Sequence, residues 1–165
     1  MKNIIYLLSS FIFIAFFGGC YTFTGGSIPE HLKTLQIAAV ADNSGFGDPR
    51  YKEQLTNYLI SKFRGDNSFS VVDFGGDAKL SVSISSIRDE TYAVKAGELE
   101  SQRKITVTCK AQYYDNVKKK IIWDKSFSAY GVYDVANLES GRQTSLTKSL
   151  EQVSDDILLA VVSGW

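Results

Sequence analysis

The sequence contains a single histidine, His31, and only two cysteines, Cys20 and Cys109, among its 165 residues. A nucleophilic triad needs an oriented base within hydrogen-bond reach of its Ser or Cys. His31 sits beside Pro29 in a segment that reads as a tether, a poor place to hold a base. One histidine and one distant cysteine do not make the usual zinc ligand set. Net charge is also lacking, because 18 basic and 18 acidic residues cancel. They are interspersed, where a nucleic-acid binder usually carries a basic patch or stripe. The Gly-Gly pairs beginning at Gly18, Gly25 and Gly75 lack the lysine and following helix of a phosphate loop and read as turns. Asp89-Glu90 and Asp155-Asp156 read as solvated charge. We therefore expect no catalytic residue, metal, cofactor or nucleic-acid partner, and do not read the chain as an enzyme.

What is present begins at the N-terminus. Lys2 precedes an uncharged run from Ile4 to Phe17, an n-region followed by an h-region. A membrane-spanning helix needs roughly 20 apolar residues, and this run stops short of that at Gly18-Gly19-Cys20. Two small residues before a cysteine resemble a lipobox, in which a diacylglyceryl group is joined to the cysteine sulfur before the signal is cut off. Residues 1–19 are thus expected to be an export signal. Cys20 becomes the lipid-bearing first residue, carrying diacylglycerol and an N-acyl chain such as palmitate. The alternative is an uncleaved anchor with an incidental cysteine. Loss of residues 1–19 removes one lysine and leaves a net charge of minus one. With Cys20 in a thioether, Cys109 has no internal disulfide partner. It shares parity with apolar neighbours in Ile105–Tyr113, so it reads as a small buried side chain.

Residues 20–33 are rich in turn formers and read as a tether, and 34–165 as one α+β domain long enough to bury a core. Thr34 to Ala41 is apolar on both parities, a central strand buried on both faces. Asp48-Pro49 opens a helix to about Phe63, with Tyr51, Leu55, Leu59 and Phe63 one turn apart, ended by Gly65-Asp66-Asn67. A short strand, Phe69–Val72, follows.

Leu80, Val82 and Ile84 then alternate with serines, and Ser85-Ser86-Ile87 breaks parity as a bulge or strand end. Ile105 to Tyr113 and Ile121 to about Val132 are joined by Asp115–Lys119, a connection of hairpin length, and read as antiparallel neighbours. Trp123, Phe127 and Ala129 are the inward set of the last strand, although Lys125 shares their parity. After a loop near Asn137–Gly141, Leu146, Leu150, Val153, Ile157 and Val161 mark a second helix of about five turns. The expectation is a four- to five-stranded mixed sheet with two helices packed on one face, leaving a Ser- and Thr-rich face open. That face is a docking surface or merely a solvated one.

Basic residues cluster twice. Arg88, Lys95, Arg103 and Lys104 lie at the ends of or within a long connection between the first two long strands. Lys118-Lys119-Lys120 form the following hairpin. Either set suits phosphates. Equally, they are solvated loop charges or edge lysines that deter sheet-to-sheet pairing.

The run from Cys20 to Pro29, followed by Leu32-Lys33-Thr34-Leu35-Gln36-Ile37 and Asn43, resembles the lipopolysaccharide-assembly lipoproteins (LptE-like), in Bacteroidetes-type form. Element order carries the resemblance over most of the mature chain. It implies a non-enzymatic partner of the outer-membrane β-barrel of the lipopolysaccharide transport machine, acting as plug and assembly factor and contacting lipopolysaccharide. By analogy, that contact falls on Arg88, Lys95, Arg103 and Lys104. Tyr21 is not the Asp that commonly holds lipoproteins in the inner membrane, and no acidic run for surface export follows Cys20. The expected address is the periplasmic side of the outer membrane, with the membrane reached through the lipid. A periplasmic lipoprotein that regulates a peptidoglycan synthase or assembles a secretion pore is the competing reading.

Overall fold

The structure, a computed structural model, describes residues 28–94 and 101–163. The expected export segment, Cys20 and Lys95 lie outside the described residues. Strand β1 (Thr34–Ile37) and the two-residue β2 (Ala41–Asp42) are followed by helix α1 (Arg50–Asp66), β3 (Ser70–Val72), β4 (Ala78–Ala93), β5 (Gln102–Asp115), β6 (Lys120–Asp134), a 3-10 turn and helix α2 (Leu138–Val162). The five-strand order is β3-β1-β4-β5-β6, with β2 also pairing β4. The left part is parallel, with β1 beside both β3 and β4. The right part is an antiparallel ribbon. This is the expected α+β mixed sheet, and both helices pack on it.

Sequence spacing accounts for the helices. Tyr51, Leu55, Leu59 and Phe63 of α1 and Leu146, Leu150, Val153, Ile157 and Val161 of α2 are all buried. Asp48 accepts the Arg50 N–H at 3.0 Å and so satisfies a free donor of the first turn. Asn67, left-handed at φ 58°, ends α1. The loop expected at Asn137–Gly141 is instead largely the start of α2. Its first turns are exposed and polar, so they show no apolar period. Gly141 packs tightly there, since an added Cβ would lie 3.0 Å from Tyr133 Cβ.

The strands obey alternation where one face is apolar. Leu80, Val82, Ile84, Ile105, Val107, Cys109, Ala111 and Tyr113 are buried toward the helices. The parity break is a bulge between Ile84 and Ser86, and β4 runs on past it. Trp123 and Phe127 pack against the core and Ala129 is buried within it. Lys125 keeps their parity by laying its ammonium 5.5 Å from the Trp123 ring centroid. At Gly131 the helix comes closest to the sheet, where a Cβ would meet Ser145 Cβ at 2.7 Å.

Two expectations change near the start of the domain. The strand expected from Thr34 to Ala41 is interrupted at 38–40, and it is not buried on both faces. Leu35 is fully buried, whereas Ala39 and Ala41 are exposed on the side without helices. The end of the expected tether is packed rather than free, because Leu32 is 2% exposed in the core. His31 Nε2 lies 2.8 Å from Oδ2 of Asp115, whose side chain is 2% exposed. The two residues are 84 positions apart. Lys118 N–H also donates to Asp115. Burial alone would push the Asp115 carboxyl up, but these hydrogen bonds outweigh it and hold the group below its usual range.

Asp77 secures the same end of the sheet. Its Oδ2 accepts the Thr34 hydroxyl at 2.8 Å and the N–H groups of Thr34 and Lys33, while Asp77 N–H donates back to Thr34 Oγ1. These donors, the Thr34 hydroxyl first, lower the Asp77 carboxyl. The link before it carries the chain from β3 to β4 past β1, which lies between them. Gly75 takes φ +70°, and a Cβ on Gly76 would lie 2.6 Å from Gln36 N and 2.8 Å from Ala78 O.

Backbone atoms cannot yield to a new methyl, so Gly76→Ala should destabilise the domain by about 2 kcal/mol, read as a lower urea midpoint. Asp77→Asn should be less stable than the parent at pH 7. A lowered carboxyl stabilises only while ionised, so that gap should close as pH falls below about 4, checked by urea melts from pH 7 to 3.

Candidate functional site

Helices cover one face of the sheet, and the opposite face of β4, β5 and β6 is polar. Its cross-strand rows are Ser81-Gln112-Asp124, Ser83-Lys110-Ser126, Ser86-Thr108-Ser128, Arg88-Thr106-Tyr130 and Glu90-Lys104-Val132. Thr108 and Ser128 hydroxyls lie 3.2 Å apart, and Gln112 donates to Asp124 at 3.3 Å. Tyr130 is 64% exposed, and Lys104 Nζ stands 5.8 Å from its ring centroid. Hydroxyls, amides, the cations Arg88, Lys104 and Lys110 and an exposed aromatic ring can hydrogen-bond sugars and phosphates and stack on a sugar ring. They offer no nucleophile paired with a base.

The four cations expected to act together do not share one surface. Arg88 and Lys104 stand on the open face, two rungs of the ladder that are adjacent. Arg103 points to the helix side, where its Nε donates to Asp89 Oδ1 at 2.9 Å and Nη2 donates to the Asp89 carbonyl. Tyr133 O–H donates to Asp89 Oδ2 at 2.6 Å, and burial, followed by that hydrogen bond, pushes its phenol up. The connection expected to be long is short, because β4 reaches Ala93 and β5 begins at Gln102. Alternation failed to show this. The inward positions there are Asp89 and Arg103, which satisfy each other, so both faces read as polar.

Residues that the sequence did not flag as functional include Tyr130 and Lys110 on the open face. The polar residues at even positions of β5, Lys104, Thr106, Thr108, Lys110 and Gln112, were the available signal. Cys109 lies on the buried face, as its parity implied. Burial, with a lesser contribution from Asp42, raises its thiol to about 12. Burial likewise raises the Tyr113 phenol, so neither ionises near neutral pH. Among the described residues no group of three His, Cys, Asp or Glu side chains is placed to hold a metal ion. No described helix is long and apolar enough to cross a membrane.

An α+β domain with a one-sided helix layer and a polar open sheet places the chain in a class represented among bacterial lipoproteins of known structure. The rare lipoprotein B of Shewanella oneidensis superposes with a TM-score of 0.59 at 13% identity, covering 80% of this chain and 96% of that one. A minor lipoprotein of Acinetobacter baumannii gives 0.56 at 13% identity, over 81% and 94%. Protein XCC0632 of Xanthomonas campestris gives 0.58 at 13% identity, over 84% and 91%. At such identities the likeness is one of fold. No curated protein matches the sequence. The family model described as LptE, lipopolysaccharide-assembly, matches residues 32–161, and the chain belongs to that family. Membership carries with it the role of a non-catalytic lipopolysaccharide-assembly lipoprotein associated with the transport machinery.

Proposed function

We propose that this protein is an outer-membrane lipoprotein, exported by residues 1–19 and held on the periplasmic side by acyl chains on Cys20. It partners the lipopolysaccharide-translocating β-barrel as plug and assembly factor and helps deliver lipopolysaccharide to the outer leaflet. The family match over residues 32–161 carries this reading. The hydroxyl-rich open face supports it, since lipopolysaccharide presents phosphates and sugars together. Arg88 and Lys104 are the cations of that face which contact phosphate. Lys95 is assigned the same role from its sequence position. Arg103, assigned to the same set from its sequence position, is tied to Asp89, which also accepts from Tyr133, and holds the far end of the ribbon in shape.

Purification of the tagged lipoprotein from detergent-solubilised envelope, with mass identification of what accompanies it, tests the partner. The large outer-membrane barrel is expected. Recovery of a peptidoglycan synthase or a pore-forming oligomer in its place would favour the competing reading.

Ligand contact is tested by replacing Arg88, Lys95, Arg103 and Lys104 with Ala. Asp89→Asn is added so that loss of Arg103 does not strand a half-buried carboxylate. Binding of lipopolysaccharide should weaken by about tenfold or more, since each charge-assisted hydrogen bond contributes about 1.5–3 kcal/mol. Unchanged binding by a folded variant would sink the assignment.

A further inference from the structure

At the opposite end of the ribbon from Arg88 and Lys104, the β5–β6 hairpin has a tip of unusual composition. Val117, Ile121 and Ile122 are 55%, 54% and 36% exposed. Between them stand Lys118, Lys119 and Lys120, all exposed, with Lys119 in the left-handed region at φ 53°. A register shift pairs Tyr113 with Trp123 but Tyr114 with Ile121, so Ile122 is an extra residue and two isoleucines in succession face outward. None of the three lysines has an ion-pair partner among the described residues. The nearby carboxylates are engaged, Asp115 by His31 and the Lys118 N–H, and Asp77 by Thr34.

The same hairpin marks where the N-terminal segment reaches the domain, because His31 is bound to Asp115 at its foot. Only seven residues stand between Cys20 and Ile28, and the eight residue steps that join them span at most about 29 Å when fully extended. A lipid on Cys20 therefore keeps this end of the domain close to the bilayer. The end bearing Lys104 lies eleven residues further along β5, roughly 35 Å away.

We propose that the hairpin tip Val117–Ile122 is a second membrane contact. Its lysines meet phosphate groups of the bilayer surface, and its aliphatic side chains enter the headgroup boundary. A single point of attachment would leave the domain free to tumble. Two neighbouring contacts at one leaflet instead set its pose, with the end that bears Arg88 and Lys104 directed away from the headgroups that hold the lipid. This inference rests on the reading of Cys20 as the lipid-bearing residue.

The test uses the chain from residue 20 onward with Cys20→Ala, which keeps every described residue and removes the lipid. Sedimentation with phosphatidylglycerol vesicles at low salt should show binding that falls with added salt and is weak on phosphatidylcholine. Lys118→Ala/Lys119→Ala/Lys120→Ala should reduce partitioning more than tenfold, and Ile121→Ser/Ile122→Ser should also reduce it. Lys52→Ala/Lys148→Ala, which removes charge from the two helices, should not. Equal binding by the triple variant, no binding by the parent, or an equal loss in the Lys52/Lys148 variant would each overturn the proposal. Incorporation of labelled palmitate at Cys20 in cells reads the anchor separately. Absent label, together with hairpin-dependent vesicle binding, would overturn the anchor and leave the hairpin contact standing.

Discussion

Burial of one face of the sheet beneath α1 and α2 is the interaction on which the rest of the structure depends. Among the described residues the inner side chains of β4, β5 and β6 have no other cover. Each fully buried Leu, Ile or Val side chain contributes about 1.5–3 kcal/mol relative to exposure. Where α2 crosses β6, Gly131 and Ser145 meet at backbone distance, and Ser145 O–H donates to the Val132 carbonyl. Close approach at that point aligns the leucines of α2 over β5 and β6. Among the described residues the opposite face has no such layer, and it carries the hydroxyls, amides and charges of the cross-strand rows.

The one-sided arrangement also separates the ends of the molecule. At one end the parallel strands begin, Asp77 clamps Thr34, and His31 closes on Asp115. At the other, Asp89, Arg103 and Tyr133 hold the ribbon beyond the reach of the apolar core. Long antiparallel strands carry these ends apart without a second domain. Under the proposed function, that geometry lets a plug held by its lipid at one end present the other end inside its barrel.

Helix stripes and strand alternation were legible because a period of 3.6 or 2 survives in the residue order whatever the partners are. The bulge after Ile84 was legible for the same reason, as a break in parity. The extent of the ribbon was not. Past Ile87 the inward positions are filled by a charged pair and a tyrosine whose compatibility depends on strand register. Nor was the start of α2, where Glu139, Ser140 and Gly141 carry no apolar stripe. His31 was misjudged because its partner is on a strand far along the chain, and local composition describes only its neighbours.

Residue order by itself determined the α+β class, the two amphipathic helices, the antiparallel ribbon, the burial of Cys109 and the scarcity of groups for catalysis. Each of these follows from local periodicity or from a count. Tertiary structure alone decided that Arg103 faces Asp89 while Arg88 and Lys104 share the open face, that Gly76 must lack a side chain, and that the last turn before β1 is docked on the foot of the β5–β6 hairpin. Those facts depend on register and crossing order, which set the contacts between residues far apart in the chain. A one-residue change in register would send every such side chain to the other face.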